Sequence, residues 1–178
     1  MREQPAASGF GPPMIGLDRV YSAHSGLVFR TAYRITGNAA DAEDVLQTVF
    51  LRLMRRDQAA GALENEESYL RRAAVNVSLD LVRSKQAARA VPIDDAPPSQ
   101  LAEGKSQDMG ELKECLRRAL AHLNRRDAEV FALRFFEGHE NPEIARILGI
   151  SQVHVAVILH RTRKQLQKEV RSYMGEKS

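Results

Sequence analysis

The chain has 178 residues, of which 43% are hydrophobic and 28% charged, enough for one ordinary domain or two small ones with modest cores. That balance excludes collagen, a coiled-coil rod and a membrane span, and the single cysteine, Cys115, excludes an internal disulfide and a cysteine-based zinc cage. No charged leader is followed by an apolar run and a small-residue cleavage site, so the expected location is the cytoplasm, without membrane insertion.

The net charge of +3 is spread unevenly, as +2 over residues 1–90, −3 over 91–110 and +4 over 111–178. The acidic middle also carries Pro92, Pro97, Pro98, Gly104 and Gly110 and few large apolar residues, the composition of a flexible linker. Residues 1–16 hold Pro5, Gly9, Gly11, Pro12 and Pro13 and read as a disordered N-terminus. The expected organisation is therefore a first domain over 17–90, an acidic tether over 91–110 and a second domain over 111–174.

In the first domain Leu17, Val20, Tyr21, Leu27, Val28, Thr31, Ala32 and Ile35 share one helical face, with a break expected near Ser25-Gly26 and a stop at Gly37. Asn38 can cap the next helix, with Asp41 at its positive end and Ala42, Val45, Leu46, Val49, Phe50, Leu53 and Met54 as its apolar stripe. A third helix runs from about Glu66 to Lys85 and buries Tyr69, Leu70, Ala73, Ala74, Val77 and Leu81. No stretch alternates with period two, so the fold class is all-α: two small helical domains joined by a flexible linker.

Beyond the linker, Leu112–Leu123 and Asp127–Phe136 read as helices parted by Asn124-Arg125-Arg126, with Asn124 as an N-cap. In the next segment Asn141 is expected to cap, Pro142 to take the first helical position, and Gly149 to supply the positive φ of a tight turn. Small Ala145 permits a close helix crossing, while Ile144, Leu148, Ile150, Val155 and Ile158 close the core beneath and Ser151 caps the second helix. Seven constrained positions of this kind spell a helix-turn-helix, a far more specific pattern than an ordinary helical hairpin.

The run Gly37-Asn38-Ala39-Ala40-Asp41-Ala42-Glu43-Asp44-Val45-Leu46-Gln47-Thr48-Val49-Phe50-Leu51-Arg52-Leu53 resembles the second conserved region of bacterial RNA polymerase sigma factors of the extracytoplasmic-function (ECF) group of the sigma-70 family. Tyr69 to Arg83, with Ala74-Val75-Asn76 and Asp80 in phase, resembles that family's next helix, and Phe136 to Arg163 its fourth region. The resemblance implies a transcription initiation factor whose first domain docks core RNA polymerase and opens the promoter-proximal element, and whose second domain reads the upstream element. Core polymerase and promoter DNA are the implied partners, with an anti-sigma factor as a further one.

Carried over residue by residue, the resemblance assigns polymerase docking to Asp41, Asp44, Gln47, Thr48 and Leu51, although Thr48 stands where relatives usually have Glu. Leu51 is apolar yet lies off the core stripe, and on physics alone it could be an ordinary exposed leucine. Promoter-proximal DNA falls to Arg71, Arg72, Asn76, Arg83 and Lys85, for which a solvated basic face is the competing reading. Asp80 is expected to make a structural ion pair. The loop from Gln58 to Glu67 matches the family segment that captures an extruded base.

Upstream-element DNA falls to Ser151, Gln152, His154, His160, Arg161, Arg163 and Lys164. Here the sequence departs from its relatives, because Ala156, Val157 and Ile158 replace a lysine, a serine and an arginine. Alanine and valine cannot pair with phosphates, though they can touch thymine methyls, so upstream binding is expected to be weakened or altered. The alternative reading is a helical interaction protein that keeps the polymerase- or regulator-binding domain and docks protein, not DNA, through this helix. An ordinary helix-turn-helix repressor would need dimerisation heptads, which the sequence lacks. His139-Glu140-Asn141-Pro142-Glu143 lacks the second histidine of a zinc protease helix, and no phosphate loop or nucleophile elbow occurs. No catalytic residue, metal site or cofactor is expected.

Overall fold

The computed structural model describes residues 15–57, 65–90 and 105–175. These form seven helices in chain order: α1 (Ile15–Thr36), α2 (Ala39–Asp57), α3 (Glu66–Ala90), α4 (Lys105–His122), α5 (Arg125–Phe135), α6 (Asn141–Leu148) and α7 (Gln152–Gly175). Among the described residues there is no strand, and no single helix is long and apolar enough to cross a membrane. Residues 1–14 of the segment expected to be disordered, 58–64 of the expected base-capturing loop and 91–104 of the tether lie outside the described residues, whereas Ile15 and Gly16 already belong to α1 and Glu66 and Glu67 open α3.

The first three helices form a bundle around Val28, Ala32, Val45, Val49, Phe50, Leu53, Leu70, Ala74 and Val77. α1 runs unbroken through Ser25-Gly26. Gly26 is exposed, so a continuous helix there costs only about 1 kcal/mol relative to Ala, while the apolar stripe resumes in phase on both sides. Gly37 ends α1 at φ +81°. A Cβ on Gly37 would lie 1.8 Å from Nη2 of Arg117 on α4, so the stop glycine also makes room for the second half of the chain.

Asn38 caps α2 as expected, its Oδ1 accepting from the Asp41 backbone N–H at 2.8 Å. The Asp41 side chain accepts in turn from Asn38 Nδ2 at 2.6 Å and from Lys85 Nζ on α3 at 2.6 Å. This ties the start of α2 to the end of α3.

α3 is apolar on two faces. Leu70, Ala74 and Val77 enter the first core, whereas Val75, Leu79 and Val82 turn the other way and join Ile35 in a second core. That second core is completed by Ala119, Leu120 and Leu123 of α4 and the following turn, by Val130, Phe131 and Leu133 of α5, by Ile144 and Leu148 of α6, and by Val155, Ile158 and Leu166 of α7. Each fully buried Val or Leu on this seam contributes about 1.5–3 kcal/mol of transfer free energy, so the two halves are held by a hydrophobic interface as well as by the chain.

The helix α4 begins at Lys105, within the stretch read as linker, because its polar first turns continue the helix set by Cys115, Ala119 and Leu120. Cys115 is buried, and burial pushes its thiol pKa up, which leaves it a packing residue. Asn124 caps α5 through its Oδ1 and the Asp127 N–H at 2.9 Å. The start of α6 differs from expectation by one residue. Glu143 accepts from the Glu140 backbone N–H at 2.9 Å, so Glu140 is the N-cap and Asn141 and Pro142 are the first two helical residues. Gly149 adopts φ +64° as expected, and Ser151 caps α7 by accepting from the His154 N–H at 3.2 Å.

The Asp41 contact yields a stability prediction. Burial alone would raise its pKa, but the hydrogen bonds from Lys85 and Asn38, with the charges of Lys85 and Arg117, outweigh it and hold the carboxyl below its usual range. A depressed carboxylate stabilises the fold above its unfolded pKa of about 3.9, and that stability is lost as the pH falls through the folded value. Asp41→Asn should therefore cost about 1–2 kcal/mol in urea denaturation at neutral pH. The loss should shrink below about pH 4, where the wild-type carboxyl also becomes protonated.

Candidate functional site

Two exposed helix faces and one buried seam hold the residues of interest. On α2 the core stripe Val45, Val49, Phe50 and Leu53 is buried, which leaves Asp44, Gln47 and Leu51 outward with Thr48 half-buried beside them. Leu51 is 51% exposed and Met54 38%, an apolar pair among polar neighbours. Asp41 stands apart from this group. It is buried and bound to Lys85 and Asn38, so it anchors the helix and does not belong to the free face.

The expected promoter-proximal residues all lie on α3, but in this structure each has a protein partner. Lys85 pairs with Asp41 at 2.6 Å, within the first bundle. Arg83 reaches Asp80 at 3.4 Å and donates to the Leu123 carbonyl at 3.2 Å, while Asp80 also faces Arg125 at 3.8 Å, which is the ion-pair role expected for it. Arg71 donates to Glu137 at 2.6 Å and to Glu67 at 2.7 Å, and Arg71 holds the Glu67 carboxyl below its usual range. Arg72 donates to Glu129 at 2.7 Å through Nε, and Asn76 donates to the same oxygen at 2.9 Å.

Glu129 and Glu137 were not visible as functional residues in the sequence. Their side chains are only 4% and 1% exposed. Glu137 lies in the turn after α5 and also accepts from Thr31 at 2.8 Å and Arg34 at 3.2 Å, both on α1. Glu129 faces Arg126 at 3.6 Å as well. A third acid, Glu114 on α4, accepts from Gln86 at 3.0 Å and pairs with Arg89. The signal that could have found them is the second apolar stripe of α3, Val75-Leu79-Val82, which demands a partner surface beside the arginines.

In the helix-turn-helix, α6 and α7 meet over Ile144, Leu148, Val155 and Ile158, so Ile158 is a core residue and not a lost DNA contact. The outer face of α7 carries Gln152, Val153, Ala156, Val157 and His160, with Val153 75% and Val157 56% exposed. Ser151 and His154 sit at its N-terminus. Arg161 is exposed but has a partner within the chain. It makes a bidentate pair with the buried Asp127 at 2.6–2.8 Å through Nη2, which together with its Nε contact of 3.1 Å pins α7 to α5. The hydrogen bond from Asp127 and then its charge push the Arg161 pKa up. Arg163 lies 5.9 Å from the Phe135 ring centroid, and Lys164 is exposed beside it. Among the described residues no group of histidine, cysteine and acidic side chains could hold a metal ion.

Residues 20–88 match the family model for sigma-70 region 2, and residues 113–166 match that for sigma-70 region 4. The ECF RNA polymerase sigma factor SigE of Mycolicibacterium smegmatis is 30% identical over 96% of this chain and 67% of its own length. SigL of Mycobacterium tuberculosis, another ECF sigma factor, is 31% identical over 79% of this chain and 81% of its own. Among solved structures, that of CnrH in complex with the cytosolic domain of CnrY has a similar fold, with a TM-score of 0.54 at 20% identity over 90% of both chains. With both regions matched in order on an all-helical framework, the chain belongs to the ECF group of RNA polymerase sigma factors, which are non-catalytic factors of transcription initiation.

Proposed function

We propose that the chain directs core RNA polymerase to specific promoters, working in the cytoplasm alongside the polymerase it serves. The observation that carries this reading is the exposed Leu51–Met54 pair beside Asp44 and Gln47 on α2, an apolar anchor on a surface that the core of the first bundle does not use. Arg71, Arg72, Asn76, Arg83 and Lys85 supply the positive charge for the promoter-proximal strand once their present partners are exchanged for phosphates. An inhibitory protein partner, an anti-sigma factor, is proposed on the family membership.

At the upstream element the proposal rests on Ser151, Gln152, His154 and His160, with Arg163 and Lys164 toward the backbone. Val153, Ala156 and Val157 then offer methyl contacts in the groove where relatives offer charge. The same apolar face favours a second reading, in which α7 docks a protein. Salt dependence separates the two, since each phosphate contact adds about 0.9 to the slope of log affinity against log salt. A shallow slope with retained sequence preference supports methyl readout. Absence of DNA binding by the polymerase-bound chain supports protein docking.

Transcription with core polymerase and a pool of promoter fragments tests the function directly. Leu51→Asp should weaken polymerase binding by at least about tenfold, the equivalent of ~1.4 kcal/mol, and leave the melting temperature nearly unchanged. Normal binding by this variant, or its unfolding, would remove Leu51 from the docking face.

A further inference from the structure

Near the end of α1 lies a cavity of about 290 Å³ walled by the side chains of Tyr33, Leu116 and Phe136 and by three cations, Arg34, Lys113 and Arg117. No acid stands among its described lining residues. The adjoining cavity, which shares Gly37 and Arg117 with it, is different, because there Lys85 and Arg89 are paired with Asp41 and Glu114. Lys113 is exposed and pairs with no acid among the described residues. Arg34 contacts Glu137 at 3.2 Å, but that acid already accepts from Arg71 at 2.6 Å and from Thr31 at 2.8 Å. Arg117 lies 3.6 Å from Glu114, which accepts from Gln86 at 3.0 Å and pairs with Arg89. Both guanidinium groups can therefore turn to a further anion without leaving the acid behind them unpaired.

The two rings on the wall are held in place by other rings. Tyr33 is 48% exposed and belongs to neither core, and Phe29 stacks against it at 6.3 Å between centroids. Phe136 is half-buried, and Phe131 meets it edge-on at 6.3 Å. Gly37 contributes by what it lacks, since a Cβ there would collide with the Arg117 guanidinium on the cavity wall. Aromatic walls beside unopposed cations suit a flat ring that carries an anion. Three cations favour a phosphate dianion over a single carboxylate. The volume lies at the lower end of the roughly 300–1,000 Å³ of ligand pockets, which limits the occupant to one ring system with one phosphate.

We propose that this cavity between α1 and α4 binds a mononucleotide, with the base against Tyr33 and Phe136 and the phosphate on Arg34, Lys113 and Arg117. The site shares no residue with the polymerase- and DNA-binding faces proposed for the chain, so it stands whether or not those do. Tyr33 and Arg34 belong to α1, and Lys113, Leu116 and Arg117 to α4. A bound mononucleotide therefore touches both helices and stabilises their junction by mass action.

The test titrates each of the four common ribonucleoside monophosphates into the full-length chain by calorimetry, with the matching nucleoside and inorganic phosphate as controls. At least one mononucleotide should bind saturably, one per chain, and its nucleoside and free phosphate at least about tenfold more weakly, because each makes only part of the contacts. Lys113→Gln and Tyr33→Ala should each weaken that binding by about tenfold, and the mononucleotide should raise the melting temperature of the wild type but not that of the double variant. Lys113 is exposed and unpaired, so its replacement spares the fold. Circular dichroism checks Tyr33→Ala, and if that variant melts, Lys113→Gln alone decides. Absence of saturable binding by all four at millimolar concentration would overturn the proposal. So would free phosphate binding as tightly as the mononucleotide, or an affinity that Lys113→Gln leaves unchanged. An oligothymidylate of about a dozen nucleotides separates a free ligand from a strand. Its failure to displace the mononucleotide at equal nucleotide concentration supports the free ligand, whereas displacement would assign the cavity to a nucleic-acid strand and overturn the proposal.

Discussion

Burying a carboxylate is tolerable only where donors replace the water it loses, and two such carboxylates set how the halves of this chain meet. Glu137 at 1% exposure and Glu129 at 4% would each cost several kcal/mol if unpaired. Because most of the donors sit on α1 and α3, the buried acids find their partners where the second half is seated over those helices. The apolar seam of Ile35, Val75, Leu79 and Val82 supplies attraction but little directional information, and the charged pairs supply the direction. Gly37 has the same dependence, since its missing Cβ is where the Arg117 guanidinium passes to reach the Ile35 carbonyl at 3.4 Å.

The energetics of such an interface differ from those of a core. A buried ion pair repays its desolvation cost with little to spare, and on separation both partners regain water. The hydrophobic seam therefore carries most of the net attraction, while the ion pairs determine which surface is covered. The covered surface is the basic face of α3, the one to which a sigma factor's strand-binding role would fall. A polyanion competing for Arg71 and Arg72 replaces one set of acceptors with another, so the exchange loses few charge-assisted hydrogen bonds. By contrast, the Asp41–Lys85 and Asp127–Arg161 pairs each lie within one half and do not depend on how the halves meet.

Most of the helical framework was legible from local chemistry. The Val45-Val49-Phe50-Leu53 stripe, the caps at Asn38, Asn124 and Ser151, and the turn glycine Gly149 each depend on neighbours within a few residues, and each stands where the sequence put it. The start of α6 moved by one residue because Glu140 and Glu143 build a reciprocal cap that a single-residue reading of Asn141 overlooks. The continuity of α1 through Gly26 depends on packing along the whole helix, which outweighs a local penalty. Of the candidate site residues, Asp41 and Arg161 have the right charge for binding but point at internal partners. No spacing rule reveals that, because the partners are 44 and 34 residues away in sequence. Glu129 and Glu137 were hidden for the same reason. An acid on an amphipathic helix reads as solvent-facing until the arginines of another helix are brought over it.

The distance between the two halves, with and without polymerase, is the most direct measure of this account. Spin labels on cysteines introduced at Arg55 of α2 and Lys164 of α7, in a Cys115→Ala background, report that distance through their dipolar coupling, and both native side chains are exposed. One short, narrow distance distribution is expected in the free chain and a long one once core polymerase is bound. The same distribution in both states, with polymerase binding verified, would contradict it, since the basic face of α3 would then remain covered by Glu129 and Glu137 in the working complex.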